Sequence, residues 1–135
     1  MRIPLIVTTP ETRNSSLAGK VNDAPVELFD AGPTLCDFAA AKINYSHFAR
    51  SLAPCVRDST AKLRDFALSE FAEEMMYLDG NWKLMLNKSG EAYRLFNLEN
   101  DPHEMHDLVE EKEHKHLIAE LREKLLNRRA QTEKS

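Results

Sequence analysis

The amino-acid order predicts an α+β chain whose second half is a small antiparallel sheet of three to four strands, packed by a long C-terminal helix. Three observations carry this. Asp79-Gly80-Asn81 separates two apolar runs, MMYL and WKLML. Asp-Gly between such runs signals a hairpin, because glycine takes positive φ freely. Leu117, Ile118, Leu121 and Leu125 recur at the spacings of one helix face, the pattern of a helix laid across a sheet. Between these features, YRLFNLENDP starts as a strand and stops sharply at Asn100-Asp101-Pro102. Asn and Asp bond their own backbone in turns, and Pro fixes φ while removing a donor.

The whole chain has 135 residues, 42% of them apolar and 30% charged, which suits an ordinary folded domain with one modest core. A net charge of -4 speaks against a nucleic-acid partner, since phosphate neutralisation needs a basic surface. No apolar run approaches the ~20 residues that span a bilayer, so no membrane partner is expected. MRIPLIVTTP lacks the small-residue cleavage site of a signal peptide, and nothing in the sequence fixes a compartment. Cys36 and Cys55 sit in apolar surroundings without CxxC spacing and read as two buried thiols.

Taken in order, Ile3 to Thr9 is a nearly continuous apolar run and reads as a strand buried on both faces. Such a strand needs neighbours that this chain does not supply. Pro10 to Asp23 is polar and reads as an exposed loop, and Val26 to Phe29 as a short extended piece. Asp30 is placed to cap a helix whose first turn tolerates Pro33 and which continues over Thr34 to Ala41, with Leu35, Phe38 and Ala39 on one face. Lys42 to Pro54 has no clean period, Arg57 to Lys62 is a polar connector, and DFALSEF at 65–71 reads as a strand. The meander follows, with a second turn at Lys88-Ser89-Gly90-Glu91 and a third strand over Ala92 to Leu98. The last helix spans about Glu110 to Arg129, acidic at its start and basic at its end, as the helix dipole favours.

Residues that could carry chemistry are few. His103, His106, His114 and His116 lack the HExxH spacing, and His114 and His116 point to different faces of a helix. They read as solvated surface residues. Glu110, Glu111 and Glu113 suit a helix start, and Trp82, Tyr93 and Phe96 suit a core better than a stacking platform. Met75, Met76 and Met85 read as gap-filling core. No phosphate loop appears, and Ser51, Ser69 and Ser89 lack a GxSxG context. No catalytic, cofactor-binding or metal residue is assigned.

The segment from Leu95 to Glu104, LFNLENDPHE, followed by Asp107-Leu108, resembles the C-terminal signature of the sulfatase family. Five further segments fall in that family's order: Arg2 to Val7, Asp30 to Asp37, Ser51 to Pro54, Phe66 to Phe71 and Trp82-Lys83-Leu84. The resemblance implies the C-terminal portion of an alkaline-phosphatase-like α/β enzyme, with 1–64 ending the large domain and 65–135 forming the small subdomain. It also implies that the parent hydrolyses a sulfate ester with a formylglycine residue and calcium. The C/S-x-P-x-R segment and the calcium-holding Asp residues have no counterpart here, so none of these roles is carried over. The chain is then expected to complete a pocket whose catalytic part lies elsewhere, the parent taking a sulfated small molecule or glycan. Two other readings stay open: a related phosphodiesterase or phosphonate hydrolase, and a non-catalytic interaction module whose N-terminal strand pairs with a partner or with a second copy of itself.

Overall fold

The computed structural model describes residues 5–45 and 47–132. It divides into two compact units: Met1–Ala24, Leu28–Tyr45 and Ala49–Leu63 in one, and Pro25–Glu27, Ser46–Phe48 and Arg64–Ser135 in the other.

The second unit holds the sheet. Strands β1 (Phe66–Phe71), β2 (Glu74–Asp79), β3 (Trp82–Leu86) and β4 (Ala92–Asn97) follow one another in space as in sequence, every pair antiparallel. Period-two alternation puts Met75 and Tyr77 of β2, Leu84 and Leu86 of β3 and Leu95 of β4 on one face. Helix α4 (Lys115–Thr132) lowers Leu121 and Leu125, one turn apart, onto that face. Each leucine so buried contributes roughly 1.5–3 kcal/mol relative to exposure. Phe96 is buried on the opposite face, with the Lys83 ammonium 6.0 Å from its ring centre. The predicted meander and covering helix are therefore present, with FALSEF as the fourth strand.

Local chemistry explains the turns. Gly80 takes φ +57° between β2 and β3. At the next turn the Asn87 side chain accepts from the Ser89 and Glu91 amides at 2.9 and 3.0 Å, while Gly90 takes φ +74°. The β1–β2 hairpin is less well supplied, since Ala72 (φ +50°) and Glu73 (φ +69°) occupy a left-handed two-residue turn without glycine. Ala72→Asn with Glu73→Gly is expected to stabilise the chain by about 1 kcal/mol, seen as a rise in Tm of a few degrees.

A buried ion cluster ties this unit together. Glu27 Oε2 lies 3.2 Å from an Arg64 nitrogen and 3.0 Å from an Arg128 nitrogen, and Glu27 Oε1 accepts from the Leu68 amide of β1 at 3.0 Å. The Arg128 guanidinium also stacks over the Phe48 and Phe66 rings at 5.0 and 5.5 Å.

The last helix begins later than its sequence pattern predicts. Lys112–His114 form a 3-10 turn before α4, so Glu110 and Glu111 precede the helix and no acidic side chain lies in its first α-turn. The Leu108 and Glu111 carbonyls accept from Glu111 and His114 in successive tight turns, which delays the wider α-helical winding.

The first unit departs further from expectation. Leu5 to Thr9 is irregular, not a strand, and Leu5, Ile6 and Val7 are exposed; Ile3 and Pro4 lie outside the described residues. A two-faced strand needs flanking strands, and none among the described residues pairs with it. Pro10–Arg13, read as loop, forms a short helix α1: the Thr9 hydroxyl accepts from the Thr12 amide and Thr12 Oγ1 from the Thr9 amide. The extended piece at Val26–Phe29 gives way to a 3-10 turn over Leu28–Asp30, leading into α2 (Ala31–Phe38). That helix starts directly after Asp30, as expected, and ends three residues earlier than predicted. Asp30 does not cap it, because the residue already has helical φ and ψ. Its fully buried carboxylate instead accepts from the Arg50 amide at 2.8 Å. Thr34 Oγ1 donates to the Asp30 carbonyl and accepts from the Leu52 amide at 2.8 Å. These bonds tie α2 to the stretch leading into α3 (Ala53–Arg57), a short helix that the aperiodic sequence did not reveal.

Candidate functional site

The connector after β4 is the most organised non-repetitive segment of the second unit. The Asn97 carbonyl accepts from the Asp101 amide at 2.8 Å and its side-chain oxygen from the Glu99 amide at 3.0 Å, which closes the turn. Asp101 accepts from the His106 amide at 2.7 Å. Backbone donors from His106 and Met105 hold its carboxyl below the usual carboxylate range. Glu104, at φ +58°, pairs with Lys83 at 2.5 Å. The Leu108 amide donates to the Leu95 carbonyl at 2.9 Å, and Asp107 Oδ1 accepts from the Leu95 and Val109 amides at 3.0 and 3.1 Å. The segment thus satisfies the outer polar edge of β4 with a carboxylate and one backbone bond. It performs the job of an absent fifth strand.

Burial pushes the Asp107 carboxyl up, but the two amides and Arg94, 3.0 Å away, outweigh it and leave the group below its ordinary value of 3.8. A depressed folded value gives stability that is complete above the unfolded pKa and is lost as pH falls through the folded one. Asp107→Asn is therefore expected to flatten the acid limb of the Tm–pH curve below about pH 4. Asp107→Ala should cost about 1–3 kcal/mol at neutral pH by stranding the Leu95 amide, checked by urea unfolding.

A cleft of about 390 Å³ opens beside this connector, between Trp82, Asp101, His106 and the 3-10 turn. His114 is only one-fifth exposed and tilts against the Trp82 ring at 5.3 Å, so it is not the solvated residue its sequence context implied. Its Nε2 lies 3.4 Å from Glu111 and 3.6 Å from Glu113. His103, His106 and His116 are exposed; His106 lines the same cleft but lies outside the Glu111–Glu113–His114 group. Two exposed carboxylates and one imidazole are a poor donor set for calcium, which takes six to eight oxygens. Neither cysteine fits a formylglycine precursor: Cys36 and Cys55 are free and half-buried, and neither starts a C-x-P-x-R run. Burial, helped by Asp58, pushes the Cys55 thiol up, opposite to an activated nucleophile. Trp82 and Tyr93 are half-buried, and the Tyr93 hydroxyl donates to Glu74 at 2.8 Å. No helix of the described residues is long and apolar enough to cross a membrane.

Residues 1–131 match the family described as N-sulphoglucosamine sulphohydrolase, C-terminal. The chain belongs to that sulfatase C-terminal family. An arylsulfatase of Clostridium perfringens is 32% identical over 130 residues, which are 93% of this chain and 27% of that protein. Among solved structures, a 2-O GAG sulfatase superposes with a TM-score of 0.62 at 22% identity, covering 75% of this chain and 24% of its own. A second, solved with its substrate D-glucosamine-2-N,6-O-disulfate, gives a TM-score of 0.62 at 18% identity, over 78% and 24%. These likenesses establish the fold: a four-stranded antiparallel sheet with a long helix, as found in sulfatases. The chain spans about a quarter of the length of each of these relatives.

The residues that sequence reasoning missed are Glu27, Arg64 and Arg128, which are far apart in sequence and carry no motif. The Asp30–Thr34 pair was seen only as a helix start. Its i, i+4 polar spacing was a usable signal for a buried polar stripe.

Proposed function

We propose that this chain is the C-terminal, pocket-completing part of a sulfuric ester hydrolase. In this reading residues 1–64 end the large α/β domain and 65–135 form the C-terminal subdomain. The observation that carries the proposal is the family match over residues 1–131, together with the signature connector hydrogen-bonded along β4. No catalytic, cofactor-binding or metal residue is assigned to this chain. The formylglycine nucleophile and calcium belong to a catalytic part that would hydrolyse the ester, and neither fits the donor sets found here. The relative solved with a sulfated glucosamine favours a sulfated sugar as the parent's substrate class.

The test is a swap in which this chain replaces the matching C-terminal stretch of the Clostridium perfringens arylsulfatase. The swapped enzyme should hydrolyse 4-nitrophenyl sulfate, and the chain alone should not. Calcium-dependent turnover by the chain alone, or a folded but inactive swap, would overturn the proposal. Turnover of a phosphate diester in preference to the sulfate ester would assign the parent to the related phosphodiesterases. A strand-pairing module gains no support, since Leu5 to Thr9 is in no strand.

A further inference from the structure

Helix α2 and the 3-10 turn before it are inverted. A surface helix ordinarily buries its apolar stripe and exposes its polar one. Here the buried residues are Asp30, fully enclosed, and Thr34 at 4% exposure, both held by the backbone of Arg50 to Leu52. The exposed residues are apolar: Leu28 at 88% and Leu35 at 68%. Gly32, itself exposed, lies between them, four residues after Leu28 and three before Leu35. A Cβ built on Gly32 meets nothing within 4 Å, and its φ is not in the left-handed region. Neither space nor backbone conformation within this unit calls for glycine there, yet glycine is a poor helix former. A glycine flanked by exposed leucines lets another backbone approach closely while the leucines are covered.

We infer that the Leu28–Gly32–Leu35 face is a docking surface for the catalytic part of the sulfatase, with Gly32 at the point of closest approach. This rests on the function proposed above. The occupant is chosen on length: the matched relatives carry roughly three-quarters of their chain outside the region this one covers. That is ample to cover a two-turn face. The element that docks presents an apolar surface, because Leu28 and Leu35 offer no hydrogen-bonding side chain.

The test compares the same substitutions in two settings. In the swapped arylsulfatase, Gly32→Leu and Leu35→Asp should each reduce soluble, active enzyme at least tenfold. In the isolated chain neither should lower Tm, and Gly32→Leu should match or exceed the unsubstituted chain. Phe71→Asp, at an exposed apolar residue of β1 far from this face in sequence, should leave the swapped enzyme unchanged. The inference is overturned if the swapped enzyme is active and both face variants leave it so. It is equally overturned if light scattering shows the isolated chain to be a dimer that Leu35→Asp dissolves, since a second copy would then own the face. A swapped enzyme that is folded but inactive without any substitution refutes the sulfatase reading itself, a different outcome from either.

Discussion

Glu27→Ala is expected to lower the stability of this chain by about 3–5 kcal/mol, because it removes the carboxylate that the Arg64 and Arg128 guanidinium groups share and leaves two like charges side by side in a largely dry place. Glu27 is 5% exposed and Arg64 5% exposed, so water cannot take over the carboxylate's role. The loss is large against the 5–15 kcal/mol that holds an ordinary domain together. It also removes the side-chain acceptor of the Leu68 amide on β1. The physical cause can be separated from simple loss of volume. Replacing all three members at once, as Glu27→Leu with Arg64→Met and Arg128→Met, should recover most of the stability, since buried ion clusters often exchange with well-packed apolar groups at little net cost. Arg128 Nε is buried without an acceptor among the described residues, so the cluster is not fully satisfied to begin with. Urea unfolding followed by far-UV circular dichroism measures both variants. If the triple replacement is as unstable as Glu27→Ala, the cluster's effect is one of shape and not of charge.

What the sequence revealed and what it hid differ by the range of the forces involved. The Asp79-Gly80-Asn81 hairpin, the strand stop at Asn100-Asp101-Pro102 and the Leu121–Leu125 stripe are set by neighbours in sequence, and all are found as expected. Thr9-Pro10-Glu11-Thr12 carried an equally local helix start, a hydroxyl cap followed by proline, but the apolar run before it suggested a strand and drew the chain into a loop. Leu5 to Thr9 is in no strand, since strand formation depends on partners and a hydrophobic segment does not say whether they are present. Asp30 illustrates a second limit. Its position before α2 is that of a cap, but the backbone of Arg50, twenty residues later, claims the carboxylate. The Glu27–Arg64–Arg128 cluster joins residues about a hundred positions apart and left no trace in any local pattern. The family, by contrast, was legible from six short segments in order.

Leu84→Ala should cost about 2–5 kcal/mol, while Met85→Ala, one residue on, should cost about 1 kcal/mol or less. Leu84 is fully buried at the centre of the sheet, opposite Tyr77 on one side and Leu95 on the other, beneath α4. Truncation leaves a cavity whose walls are two backbone ladders and a helix, none able to collapse without breaking hydrogen bonds. Met85 points to the other face, half-exposed, with the Tyr93 hydroxyl 4.0 Å from its sulfur. Adjacent residues with such different costs are what a period-two strand with one packed face requires. Comparable costs at the two positions would mean that both faces are packed at this point, or that β3 pairs one residue out of the register described. The second alternative has a consequence for the connector. A slip of β3 against β4 would move Leu95 off the helix-facing side and take its amide away from Asp107, so Leu84→Ala and Asp107→Ala should then interact strongly in a double-mutant cycle. In the register seen here Asp107 binds the outer edge of β4 and Leu84 packs on its inner side, so their effects should add to within about half a kcal/mol.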